Sequence, residues 1–153
     1  MANLSNWLNK NTIQYIDSVA DWQEAIVLAG RPLLQTEAIS QRYIETIIEQ
    51  KQQIGPYFVI APRIAMPHAR PEQGAKKLGL SVVKLGCGIS FNAGENDPVD
   101  IIFMFSAPDS NSHIEMISQL AEVLSDDEKM NQIFNTRSQQ QLAALLLTEN
   151  GAG

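Results

Sequence analysis

Two histidines, His68 and His113, are the side chains whose type and placement suit chemistry near neutral pH. His68 lies in Ile64-Ala65-Met66-Pro67-His68-Ala69-Arg70-Pro71, where a short apolar run ends in a polar turn between two prolines. Pro67 fixes its own φ and biases Met66 toward an extended conformation, and Pro71 does the same for Arg70. A histidine on so stiff a backbone suits a positioned nucleophile; the plainer role is packing or hydrogen bonding at a strand end. His113 falls in the first turn of a predicted helix that follows a buried strand. Carboxyl ends of strands and the helix starts that follow them gather at the ligand-binding rim of α/β sheets, so both histidines are expected there. One imidazole can then attack an electrophile while the other hydrogen-bonds the transferred group. Backbone N–H groups at the helix start favour a phosphoryl anion, although Asp109 and Glu115 offset that field. Against this, His113 shares a three-and-four spacing with Ile117, Leu120 and Leu124, which is also the pattern of a sheet-packing residue.

Other chemistries find less support. Zinc takes three or four His, Cys or carboxylate ligands, and no C-x-x-C, H-x-H or H-E-x-x-H spacing occurs. Gly86-Cys87-Gly88 is followed by no Lys-Ser/Thr, so it is no Walker loop, and Cys87 is expected to mark a tight turn. No metal and no nucleotide cofactor is expected. The basic residues around His68 are Arg63, Arg70 and Lys51. Arg70, two positions on, suits a clamp on a phosphate or a partner carboxylate, or is a solvated loop arginine.

The elements that must position these residues read as follows. Leu4, Trp7 and Leu8 suit a docking turn, and residues 12–17 a strand. Asp21-Trp22-Gln23-Glu24 matches a capping box before the helical stripe Trp22, Ala25, Ile26 and Ala29. Gly30-Arg31-Pro32 is expected to end or kink that helix. A second helix is expected from about Thr36, with Ile39, Tyr43, Ile44, Ile47 and Ile48 on one face, stopped by Gly55-Pro56. Residues 57–60 and 64–66 read as strands broken by Ala61-Pro62-Arg63. Residues 71–77 read as a polar connection, and 80–85 as another strand. After a turn cluster at 92–98, residues 99–105 are nearly all apolar, as in a strand buried on both faces. Ser112-His113-Ile114-Glu115 again matches a capping box; residues 126–134 and 138–147 are two more helical segments, and Gly151-Ala152-Gly153 a frayed tail. Buried strands alternating with helices predict an α/β sandwich.

A chain of 153 residues with a 44% apolar fraction predicts one domain, residues 1–153, with a substantial core. The net charge of −6 argues against nucleic acid. No stretch approaches the roughly 20 apolar residues of a membrane span, so no membrane insertion is expected. Met1-Ala2-Asn3-Leu4-Ser5 carries no basic segment leading into an apolar core, and the single cysteine suits a reducing compartment. The expected location is the cytoplasm.

Three blocks in order carry a family likeness: residues 55–72 around His68; Phe91 with Asn96-Asp97-Pro98-Val99-Asp100 and the strand after it; and Asn111-Ser112-His113 with its helix. Together they resemble the mannitol/fructose class (type 2) of enzyme IIA components of the sugar phosphotransferase system. Residues 56–60 and 69–72 are most similar to the ascorbate-type branch. The resemblance implies a mixed sheet of about five strands with helices on both faces. It implies a phosphocarrier that takes a phosphoryl group from the histidine of HPr onto Nε2 of its own histidine. The group then passes to a cysteine of a IIB component, which serves the membrane IIC component. By position, His68 would be phosphorylated and His113 would orient the phosphoryl group. Many relatives carry an arginine near the end of the helix before the active-site strand. Here Lys51 stands in closest register, so Lys51 or Arg70 is expected to replace it, without a bidentate grip in the lysine's case. A regulatory enzyme IIA-like module, whose His68 phosphorylation state controls a partner, is the alternative role; a metal hydrolase is a third.

Overall fold

The computed structural model describes residues 4–147. Its sheet has five strands: β1 (Ile13–Ile16), β2 (Val59–Ala61), β3 (Ile64–Ala65), β4 (Gly79–Ile89) and β5 (Val99–Ser106). Their spatial order is β1-β4-β5-β3-β2. β1 runs parallel to β4 and β3 parallel to β5, whereas β4–β5 and β2–β3 are antiparallel. This is the mixed sheet of about five strands that the family resemblance implies.

Every residue of β5 is buried, which requires cover on both faces. Ile102 and Met104 pack with α1 (Trp22–Gln35) and α2 (Gln41–Ile54). Ile101, Phe103 and Phe105 pack on the other face, with the Leu4–Leu8 turn, α3 (Ile114–Ser125), α4 (Asp127–Phe134) and α5 (Gln139–Leu146). β4 alternates in the same way, Val83 and Leu85 to the first face, Leu80 and Val82 to the second. Each such side chain contributes roughly 1.5–3 kcal/mol on burial, so the two central strands anchor everything attached to their ends.

Asp21 caps α1 as its capping box predicts, and Asp126 and Ser138 cap α4 and α5 likewise: each side chain accepts the N–H three residues on, at 2.9, 3.0 and 3.1 Å. The reciprocal bond from Glu24 goes to the N–H of Ala20, at 2.6 Å, instead of to the cap residue itself. Several elements depart from expectation. Of the end or kink expected at Pro32, the end does not occur: α1 runs on to Gln35. The carbonyl of Leu28, which loses its N–H partner to the proline ring, is served instead by Gln14 Nε2 at 2.8 Å. In consequence α2 starts at Gln41, after a turn in which Glu37 has φ 62°, and not near Thr36. Nor is there a tight turn at Cys87. β4 continues through Gly86-Cys87-Gly88 because the chain there lies against neighbours: a Cβ on Gly86 would meet Tyr15 Oη at 2.8 Å, and one on Gly88 would meet Pro98 at 2.9 Å.

The start of α3 also differs. Ser112 does not cap it, and His113, which occupies the cap position, makes no capping hydrogen bond. Asp109 takes the N–H groups of Asn111 and Ser112 at 2.9 and 2.6 Å, forming the turn that leads into the helix. Residues 57–58 form a turn, so β2 begins only at Val59. Gly55 ends α2 at φ 95°, its N–H bonded to Lys51 O, as the Gly-Pro pair implies. The expected frayed tail at 151–153 lies outside the described residues.

Candidate active site

The carboxyl ends of β3 and β5 lie side by side because the two strands are parallel neighbours. β3 leads through Met66 and Pro67 to His68, and β5 leads through Ala107 and Asp109 to His113. Both histidines therefore line one cavity of about 560 Å³, together with Tyr57, Arg70, Phe105 and Asp109. Phe105 links them: its ring is stacked with that of His68 (centroids 4.7 Å apart, 21° between planes) and near-parallel to that of His113 (6.0 Å, 9°).

His68 Nδ1 lies 2.8 Å from the carbonyl oxygen of Met66. A carbonyl only accepts, so Nδ1 carries the proton and Nε2 keeps a free lone pair. The stiff backbone supplies that geometry. Met66 N–H is tied to Phe58 O at 2.8 Å, and Tyr57 O–H donates to the carbonyl of His68 at 2.8 Å. His113 Nδ1 is buried with no hydrogen-bond partner. Keeping the proton on Nε2 leaves Nδ1 a bare acceptor, the less costly orphan, and makes the other nitrogen a donor. Asp109 beside it stays ionised below the usual carboxylate range, chiefly through the N–H of Ser112 and then that of Asn111.

A second tyrosine braces the cavity from beneath. Tyr43, buried on α2, accepts the N–H of Ala69 at 3.0 Å and donates to the carbonyl of Phe105 at 2.7 Å. One hydroxyl thus joins the turn that carries His68 to the end of the strand that leads to His113. Burial pushes its pKa up to about 12, so it stays a donor across the working pH range. Burial raises Tyr57 as well.

A family model described as "Phosphoenolpyruvate-dependent sugar phosphotransferase system, EIIA 2" matches residues 6–149. The chain belongs to that enzyme IIA family. Over 143 residues it is 40% identical to the mannitol-specific cryptic phosphotransferase enzyme IIA component of Escherichia coli (strain K12), covering 94% of this chain and 97% of the relative. The solution structure of the mannitol-specific cryptic enzyme IIA from Escherichia coli superposes with a TM-score of 0.87 over the same shares. The ascorbate-specific PTS system EIIA component of the same strain is also 40% identical, over 132 residues and 86% of each chain. A complex of enzyme IIAMtl with phosphorylated enzyme IIBMtl from Escherichia coli shares the fold, with a TM-score of 0.75 at 23% identity over 91% of this chain and 96% of that one. This enzyme IIA is accordingly a phosphotransferase component of a sugar system.

Of the residues singled out in its sequence, the fold brings His68, His113 and Arg70 to the one cavity. Arg70 is exposed at its edge, its backbone N–H held by Gln73 Oε1 at 2.8 Å. Lys51 is not brought there. It points into the other side of α2, buried, with Nζ 3.3 Å from Asn92 Oδ1 and 3.9 Å above the Trp22 ring; burial lowers its pKa. Its spacing explains this: Lys51 follows Ile44 and Ile47 by seven and four positions and shares their buried side of the helix, whereas Gln50 and Gln53 lie on the side that lines the cavity. Tyr57 and Phe105 escape a sequence reading because each sits in an apolar run that packing alone accounts for. Among the described residues no group of three His, Cys, Asp or Glu side chains could hold a metal, and no helix is long and apolar enough to cross a membrane.

Proposed function

We propose that His68 is the phosphorylated residue of this enzyme IIA, taking its phosphoryl group from the phosphohistidine of HPr and giving it to the cysteine of a IIB component. The observation that supports this reading is the 2.8 Å contact of His68 Nδ1 with Met66 O, which leaves Nε2 as the nucleophile. In the first step the P–N bond of the donor breaks as the P–Nε2 bond forms, and the His68 ring becomes positively charged. Met66 O stabilises that charge through Nδ1–H, a contact stronger in the transition state than before it. In the second step a thiolate attacks phosphorus, the P–Nε2 bond breaks and the ring returns to neutral. His113 Nε2–H donates to a phosphoryl oxygen, and Arg70 supplies positive charge at the cavity edge. Phosphoryl transfer of this kind is mainly positioning and charge stabilisation, and no cofactor enters it.

In this reading the chain works as a single enzyme IIA domain in the cytoplasm and serves the membrane IIC component only through IIB. The sugar is ascorbate, on the character of residues 56–60 and 69–72; competition between ascorbate-type and mannitol-type IIB proteins for the phosphorylated protein checks that assignment. The primary test is intact mass after incubation with phosphoenolpyruvate, enzyme I and HPr. One acid-labile phosphate is expected on wild type and on His113→Ala, and none on His68→Ala. A phosphate that survives on His68→Ala would place the chemistry elsewhere.

A further inference from the structure

At the opposite end of the sheet from the histidines lies a second, smaller cavity of about 130 Å³. It is lined by Arg63, Lys84 and Arg137, with Tyr15 and one carboxylate, Asp100. We propose that it binds a small oxyanion of the phosphate class. The proposal does not rest on the chemistry of His68.

The first argument is charge. Three of the chain's 11 basic residues converge here on a single acid, an excess of two positive charges in a protein whose net charge is −6. Lys84 and Asp100 are both buried, at 3% and 6% exposure, where solvent screens little. A dianion balances that excess.

The second argument is hydrogen bonding. Both oxygens of Asp100 are engaged: Oδ1 accepts from Arg63 Nε at 2.9 Å, and Oδ2 from Arg63 Nη2 at 2.6 Å and from Lys84 Nζ at 3.0 Å. Lys84 Nζ also donates to Leu85 O at 2.7 Å, which accounts for two of its three N–H bonds. Arg63 keeps its Nη1 hydrogens and is held in place by the Phe134 ring, 3.9 Å away. The guanidinium of Arg137 and the hydroxyl of Tyr15 have no hydrogen-bond partner among the described residues. The cavity therefore offers spare donors while its one carboxylate has no free oxygen. A tetrahedral oxyanion, with several acceptor oxygens and no need of a donor, is the complement. The volume fits a phosphate head and falls below the several hundred Å³ of pockets for larger ligands, which excludes a nucleotide.

The test is amide NMR of the full chain, titrated with inorganic phosphate at constant ionic strength, with sodium chloride as the control. Saturable shifts in the millimolar range are expected at Tyr15, Gly86 and Arg137, with sulfate competing. Arg137 is exposed, so Arg137→Ala keeps the fold, and it is expected to weaken phosphate binding about tenfold, the size of one charge-assisted contact. Tyr15→Phe is expected to weaken it less. Shifts that grow linearly as they do with chloride, that are confined to the histidine cavity, or that are the same in Arg137→Ala would overturn the proposal.

Discussion

His113 carries a buried ring nitrogen without a partner, an arrangement that costs stability and is retained where the other nitrogen has work to do. Replacing His113 with alanine is expected to slow phosphoryl transfer to His68 by about 10²-fold, with a urea midpoint no lower than wild type. Rapid-quench phosphorylation and urea unfolding measure the two halves of that expectation. Tyr43→Phe should behave differently. It leaves the Ala69 N–H and the Phe105 carbonyl unpaired in the interior, a loss of about 1–3 kcal/mol, and it slows transfer without raising the KM for the phosphoryl donor. It also changes the alkaline limb of stability. The folded pKa of Tyr43 is about 12 against 10.0 unfolded, so its contribution is whole below pH 10 and is lost as pH rises from there toward 12. Urea midpoints between pH 9 and 11.5 should fall less steeply in Tyr43→Phe than in wild type. The histidines were legible in the sequence because a polar, titratable side chain interrupts an apolar pattern. Tyr43 was not: it shares the spacing of Ile44 and Ile47, and its hydroxyl meets partners 26 and 62 positions away, distances to which no local pattern extends.

Among the elements, β5 was readable because a nearly unbroken apolar run is a local signal. The run of α1 through Pro32 was not, because the compensation comes from β1. Gln14 Nε2 reaches the Leu28 carbonyl at 2.8 Å, and without that bond the proline would leave an exposed gap in the helix. Gln14→Leu is therefore expected to lower stability by roughly 1 kcal/mol and to increase amide exchange in the second half of α1, read by urea titration and hydrogen exchange. β4 was divided in the sequence by its glycines, which usually punctuate; here they admit the close approach of Tyr15 and Pro98 and lengthen the strand. The capping motif before α3 failed because Asp109, taking the N–H groups of Asn111 and Ser112, sets a turn that leaves His113 in the cap position.

For the molecule as a whole, α/β architecture was legible from the alternation of buried strands and amphipathic helices, but which helices cover which face was not, since that follows from strand order. The cavity of the two histidines opens beside apolar side chains left in solvent: Ile54 is 69% exposed and Ile114 61%. Such exposure beside the proposed transfer site suits partner docking. Ile54→Asp is expected to raise the KM for phospho-HPr about tenfold with the maximal transfer rate unchanged, since it removes binding common to ground and transition states; steady-state kinetics at varied donor concentration separate the two. The chain has a single cysteine, Cys87, exposed near the end of β4 that pairs with Val99, whereas the histidines lie beyond the Ser106 end of β5. Those ends are on the order of 20 Å apart. A fluorophore coupled through maleimide to Cys87 would thus sit next to the cationic cavity and leave the docking rim unobstructed, giving an optical reporter on a chain that needs no mutation to carry it.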